Sequence, residues 1–271
     1  MSQDRLDIEQ RDAQELASGY SRWYRAVELF SIVSFFTLTG LLLLKLYPSS
    51  KTMPWLVVAA VAVGFLLADF TSGFVHWMAD TWGSVELPLL GKALLRPFRE
   101  HHVDPKAMTR HDYIETNGSN CLISLPWAVG ALCIPYDVEG WEAAGVFWSG
   151  AIGSMIFWVM MTNQIHKWSH FEQRELPAVI RWAQRLHLIL PPAHHDVHHT
   201  PPFDRYYCIT TGWLNWPLTK LQFFKTLERI ITATTGVVPR KDDIGLKAAL
   251  AVAPLKPGEK SPQVQIDLPR S

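Results

Sequence analysis

Residues 143–170 read AAGVFWSGAIGSMIFWVMMTNQIHKWSH. From Ala143 to Ile165 no side chain is charged, and a helix needs about 20 apolar residues to cross the hydrocarbon core of a bilayer. His166 and His170 follow at once. Residues four apart share one face of a helix, so both imidazoles point the same way one turn apart. A spanning helix that ends in paired histidines predicts a metal centre held just outside a membrane. The expected fold class is therefore all-α: a multi-pass membrane protein.

Working outward, three further stretches are expected to span. The first is 27–47, with Glu28 and Lys45 near its ends, where long side chains snorkel to the interface. The second is 55–79, uncharged from Trp55 to Ala68 before it reaches Asp69. The third, 121–136, is short, contains Pro126 and is also compatible with a re-entrant segment. With 143–165 this makes about four transmembrane helices inside a membrane domain over 26–246. A polar segment, 1–25, precedes it, and a disordered tail is expected over 247–271, where Ala, Pro, Lys and Gln prevail. Two later stretches, 178–190 (AVIRWAQRLHLIL) and 213–231 (WLNWPLTKLQFFKTLERII), are amphipathic. Each reads equally as a helix in the headgroup layer or as a half-buried helix.

Loop charge sets an orientation. Arg22 and Arg25 precede the first span; Lys92, Arg96, Arg99, Lys106 and Arg110 lie between the second and third; Lys167, Arg174, Arg181 and Arg185 follow the fourth. Between the third and fourth stand Asp137, Glu139 and Glu142 and no basic residue. The positive-inside rule then makes both termini and the central loop cytoplasmic. All 11 histidines fall on that one side, forming a cytoplasmic histidine-rich cap for two metal ions.

The histidines come in groups. His76 lies four residues before Asp80, His101 and His102 are adjacent with His111 behind them, His166 and His170 form the pair above, and His187 stands alone. His194, His195, His198 and His199 crowd into one box, where a helix would set His198 and His199 at i+3 and i+4 from His195. One tetrahedral zinc takes four ligands, so this number of imidazoles with a carboxylate points to two ions. Thiolate-free imidazole sites suit iron, copper, zinc or nickel. Asp69, seven residues before His76, shares its helical face. It is read either as a partner behind the ligands or along a substrate tunnel, or as the mate of a polar group on another span.

Composition excludes other classes. Basic and acidic residues balance at 25 each, so no nucleic-acid field is expected. The three cysteines form no CxxC pair, which leaves neither a zinc finger nor a disulfide framework. No cleavable signal or transit peptide is expected, which points to a bacterial inner membrane or the endoplasmic reticulum. Ligands gathered beyond one end of the spans do not suit a transporter, which needs them along a path through the membrane.

The strings ADFTSGFVHWMADTWGSVELPLLGKALLRPFREHHVDP (68–105), TRHDYIETNG (109–118), TNQIHKWSH (162–170), HHDVHH (194–199) and YCITTGWLN (207–215) together resemble the plasmanylethanolamine desaturase family. A plant branch that desaturates phosphatidylglycerol palmitate at the trans-3 position shares the boxes. The resemblance covers roughly residues 55–245. It implies a lipid desaturase that places the 1'-2' vinyl ether double bond in a 1-O-alkyl ethanolamine phospholipid, giving a plasmalogen. It implies two iron ions, dioxygen, and electrons from a carrier of cytochrome b5 or ferredoxin type. The implied ligands are His76, Asp80, His101, His102, His166, His170, His195, His198 and His199; Asp80, His166, His170, His195, His198 and His199 also stand as the catalytic set. Phe98 occupies the position at which the HRxHH box of broader membrane desaturases begins with His. Asp80, His111 or His194 would replace that ligand, and His111, His187, His194 and Asp69 are further candidates for the metals or their surroundings. Arg96, Arg99 and Arg110 are candidates for the substrate phosphate. Two alternatives stand beside this reading: an acyl-lipid desaturase or hydroxylase at the same centre, and a zinc-dependent membrane hydrolase.

Overall fold

Ser21 opens the first helix by accepting a hydrogen bond from the Tyr24 amide at 3.3 Å, and α1 then runs Arg22–Thr52. The computed structural model describes residues 21–84, 87, 91, 95–136, 138–200 and 203–239. The polar segment up to Tyr20, Lys92, Asp137 and the expected tail over 247–271 lie outside the described residues. Every regular element among the described residues is helical. After α1 come α2 (Pro54–Thr81), α3 (Arg96–Val103), α4 (Ala107–Arg110), α5 (Tyr113–Cys133), α6 (Glu142–Ser169), α7 (Ala178–Arg185), α8 (Pro192–His195), α9 (Asn215–Lys220) and α10 (Phe223–Thr235).

Three of these, α1, α2 and α6, are long and apolar enough to cross a membrane. They present large apolar side chains outward, among them Phe30 at 67%, Leu44 at 72% and Trp55 at 82% exposure. So much contiguous apolar surface marks contact with lipid or another apolar phase. The α2–α6 crossing is made of small residues. Ala60 and Gly64 of α2 meet Gly150 and Ala151 of α6, and a Cβ at Gly64 would collide with the Ala151 carbonyl. Small residues let two backbones approach where no water drives them together.

The helix α5 departs from its expected bounds. It begins at Tyr113 rather than Cys121, and ends at Cys133. Asp112 caps it, its carboxylate accepting from the Ile114 and Glu115 amides at 3.0 Å each. The early turns are polar, which hid them from a hydropathy reading; their side chains bond back along α5 at Thr116 and Asn117 and across to α6 at Asn120. Asn163 of α6 donates to the Thr116 carbonyl at 3.0 Å, and Asn120 donates to the Val159 carbonyl at 2.8 Å. Lys45 is not snorkelling either. Its ammonium donates to the Leu132 and Ile134 carbonyls at 2.7 and 2.5 Å and sits 4.2 Å from the Tyr136 ring centroid. A cation there satisfies free carbonyls at the negative end of α5.

The amphipathic stretches are broken helices. The first holds α7 and stops before His187, whose φ is 55°. The second holds α9 and α10, separated by Gln222 at φ 50°. Val179, Trp182, Trp216 and Leu221 stand exposed along them. With α3, α4 and α8 they gather at the end of the bundle where α2 and α6 carry their histidines.

Candidate metal centre

The C-terminal turns of α2 and α6 meet: the His76 and His166 rings lie 5.8 Å apart between centroids. His101 and His102 stand side by side on α3 and share His76 and His198 as neighbours, while His101 alone also meets His166 and His170. The result is two groups that share one imidazole. His76, His101, His102 and His198 form the first; His101, His166, His195 and His199 form the second; within each, one ligand atom per residue lies within 4.8 Å of the others. Asp80 belongs to the first group. Its Oδ2 is 3.1 Å from His102 Nε2, 3.3 Å from His76 Nε2 and 3.4 Å from His198 Nε2. His170 belongs to the second, its Nε2 3.2 Å from His166 Nε2 and 3.1 Å from His195 Nε2.

The donor set fits metal ions. In the second group His195 Nε2 stands 2.8 Å from His166 Nε2 and 3.0 Å from His199 Nε2. A neutral imidazole offers one N–H and one lone pair, so nitrogens facing one another in a ring cannot all be satisfied by each other. Among the described residues, His76 Nε2 in the first group and His101 Nε2 between the groups are buried and make no hydrogen bond. Burial holds His101, His195 and His199 well below the ordinary imidazole range, and the neighbouring imidazoles push them further down. They are therefore neutral at physiological pH, the form that ligates metal.

Backbone carbonyls set the outward nitrogens. His76 Nδ1 faces the Tyr207 carbonyl at 3.1 Å, and His198 Nδ1 faces the Arg205 carbonyl at 2.9 Å. A carbonyl only accepts, so Nδ1 carries the proton in both rings and the Nε2 lone pair is turned inward. Aromatic rings close the walls: Phe98 lies 5.1 Å from His76, and Phe203 lies 5.1 Å from His102. Tyr207 rests 5.9 Å from His76 and 5.3 Å from His198. The sequence reading missed Arg205, Tyr207 and Phe203, because carbonyl and wall contributions leave no chemical signature in a string of residues.

The nine residues expected as ligands thus come together. The box around His195 does so without the expected continuous helix. The helix α8 ends at His195, and a turn with the His198 and His199 amides donating to the His195 carbonyl at 2.8 and 3.3 Å keeps the imidazoles on one side. Of the residues weighed against Phe98, Asp80 lies among the imidazoles, while His111 and His194 do not. His111 faces Glu115 at 3.6 Å, and its pKa is lowered to about 4 by burial and by Arg96, Lys167 and Arg110. His194 turns to Asn215 at 3.2 Å, and its ring lies tilted against Tyr206 with centroids 4.8 Å apart. The His187 carbonyl accepts from the Trp213 indole at 2.7 Å, and the ring stands outside both groups.

Two of the three phosphate candidates are corrected. Arg99 is fully buried; its guanidinium donates to the Ala79 carbonyl and, at 3.2 Å, to the Trp82 carbonyl, and lies 3.8 Å from Asp80 Oδ1. It clamps the end of α2. Arg96 is also buried, at 6% exposure. Only Arg110 reaches solvent, and it pairs with Asp104 at 2.5 Å.

Comparison with known proteins shows the family to which the sequence belongs. The model of the lipid desaturase domain matches residues 65–242, the stretch that supplies both imidazole groups. The chain is 57% identical over 258 residues, 95% of its length and 90% of the relative's, to the plasmanylethanolamine desaturase of Myxococcus xanthus. It is 45% identical over 236 residues, 86% of each chain, to plasmanylethanolamine desaturase 1 of Mus musculus. To the chloroplastic fatty acid desaturase 4 of Arabidopsis thaliana it is 28% identical over 177 residues, 65% of this chain and 52% of that one. No solved structure matches. A domain match that spans every imidazole of the centre, together with relatives of this identity, makes the chain a member of the lipid desaturase family.

Proposed function

We propose that this protein is a membrane-bound plasmanylethanolamine desaturase. It converts the 1-O-alkyl chain of an ethanolamine phospholipid into a 1'-2' vinyl ether. The observation that carries the reading is the 57% identity to the Myxococcus desaturase across 95% of the chain. The two hydrogens removed from the alkyl carbons, two protons and two electrons reduce one dioxygen to two waters. A small electron carrier of cytochrome b5 or ferredoxin type delivers the electrons.

Two iron ions held by the nine donors supply the oxidising chemistry that no side chain can. His76, Asp80, His102 and His198 hold one, His166, His170, His195 and His199 the other, and His101 stands between them. The buried carboxylate of Asp80 offsets part of the added positive charge. Phe98, Phe203 and Tyr207 keep bulk water from the first group. The reacting carbons of a two-tailed lipid lie just below its headgroup, the depth at which α2 and α6 leave the apolar layer. The loop charges support a cytoplasmic face for the centre, with α5 as a fourth crossing. The exposed Trp182, Trp216 and Leu221 lie at the headgroup level, where amphipathic residues anchor. A bacterial inner membrane or the endoplasmic reticulum satisfies this topology.

The 28% identity to a fatty acid desaturase favours one second reading, acyl desaturation at the same centre. Membranes from a host that makes no vinyl ethers, expressing this chain, separate the two when given labelled 1-O-alkyl and labelled 1-acyl phospholipid in parallel. The expected product is an acid-labile vinyl ether that releases a labelled aldehyde on acid hydrolysis, from the alkyl label alone. Label in an unsaturated acyl chain, with no aldehyde, overturns the assignment.

A further inference from the structure

One face of α2 carries Asp69, Ser72, Gly73 and His76, at spacings of three, four and seven residues. The segment 207–214 lies along that face in order. The Thr211 and Gly212 amides donate to Asp69 Oδ1 at 2.7 and 2.9 Å, and the Leu214 amide donates to Asp69 Oδ2 at 3.1 Å. One step along, the Ile209 amide donates to Ser72 Oγ at 3.1 Å, while that hydroxyl donates to the Asp69 carbonyl at 2.7 Å. Next, Cys208 lies directly on Gly73, where an added Cβ would meet the Cys208 backbone nitrogen at 3.1 Å. The Tyr207 carbonyl then reaches His76 Nδ1.

The far side of the segment is fixed as well. Asn215 closes it on itself, its Oδ1 accepting from the Cys208 amide at 2.7 Å and its Nδ2 donating to the Cys208 carbonyl at 2.9 Å. Tyr206, at φ 62°, turns the chain between the two carbonyls that meet His76 and His198. A left-handed conformation in a bulky residue is costly and persists only where its surroundings hold it. Asp69 is completely buried within the apolar part of α2. A carboxyl there is expensive unless its oxygens are matched, and here three backbone donors match them.

We infer that Asp69 is a positioning residue for the metal centre. It anchors the segment 207–214 on α2 in the one register that puts the Tyr207 and Arg205 carbonyls against His76 and His198, and so fixes which nitrogen of each ring faces the metal. The inference rests on the reading of those histidines as ligands. A shift of one residue along α2 would replace an accepting carbonyl by a donating amide and reverse the tautomer.

Asp69→Asn tests this, since the amide turns a donor toward backbone N–H groups that need an acceptor. Wild type, Asp69→Asn and Ser72→Ala are purified in detergent with iron, and iron per chain is followed under chelator challenge beside kcat and KM for plasmanyl lipid. Asp69→Asn is expected to release iron from one of the two sites and to lower kcat roughly 10- to 100-fold, the range seen when the support of a metal ligand is lost, with KM unchanged. Ser72→Ala removes a single bond to the segment, that from the Ile209 amide, and shifts both readouts the same way by less. Full iron retention with wild-type kcat in Asp69→Asn overturns the inference, as does a raised KM with kcat intact. If Asp69→Asn does not accumulate, wild-type iron retention and kcat in Ser72→Ala overturn it. The wild-type arm separates the two claims: no vinyl ether from wild type removes the functional reading, whereas vinyl ether with iron-tight variants removes only the role of Asp69.

Discussion

His166→Ala and His198→Ala each abolish vinyl ether formation while the chain stays in the membrane at its normal level. The two substitutions strike different groups. His166 is the buried imidazole 2.8 Å from His195 Nε2 and 3.2 Å from His170 Nε2; His198 is 3.4 Å from Asp80 Oδ2 and 3.3 Å from His102 Nε2. Loss of either removes one donor from its group, and a two-ion centre works only when both ions are held. Neither ring is a main packing element of the spans, whose contacts run through residues such as Phe35, Ile156 and Met160. His187→Asn is the contrast. Its ring lies outside both groups, and Asn tolerates the left-handed backbone found there, so activity is retained. Lipid extracts of cells expressing each variant, hydrolysed in acid and assayed for aldehyde, check all three. Vinyl ether at wild-type level from both alanine variants sinks the ligand assignment.

What could be read in the sequence follows from where the information sits. The His76–Asp80 and His166–His170 pairs were legible because their spacing lies within single helices and each ends a long apolar run. Convergence of the spans on one side was legible from loop charge and the end at which each histidine stands. The start of α5 was not, because Thr116, Asn117 and Asn120 look like loop residues, whereas in the fold the first two bond back along α5 and Asn120 reaches α6. Lys45 and Arg99 were misread for a related reason: a cation at a helix end looks the same whether it meets water, phosphate or free carbonyls. The alternatives for Asp69 resolve in the same way. Its partners are amides 142 to 145 residues away along the chain, and amides have no letter code.

Arg99→Met destabilises the protein by about 3–5 kcal/mol, the cost of leaving a buried ion without its partner. The guanidinium is fully buried against Asp80 and bonds the last carbonyls of α2, so its loss strands Asp80 among imidazoles and frees carbonyls at the helix end. In detergent the thermal midpoint is expected to fall by roughly 10 °C or more, with loss of bound iron following from the disturbed Asp80. Arg110→Met, which breaks an ion pair whose arginine side chain is 64% exposed, shifts the midpoint by about 2 °C or less, since exposed pairs contribute little. A thermal midpoint for Arg99→Met within 2 °C or so of wild type would show that the clamp is dispensable.

The claim on which the account turns is that nine side chains, eight imidazoles and Asp80, hold two iron ions. Elemental analysis of the purified chain that still forms vinyl ether lipid tests it without a mutation. The account predicts about two iron atoms per chain, as befits a two-metal site, falling together with activity as a chelator removes them. A single zinc per chain, or full activity after iron is stripped, would contradict it.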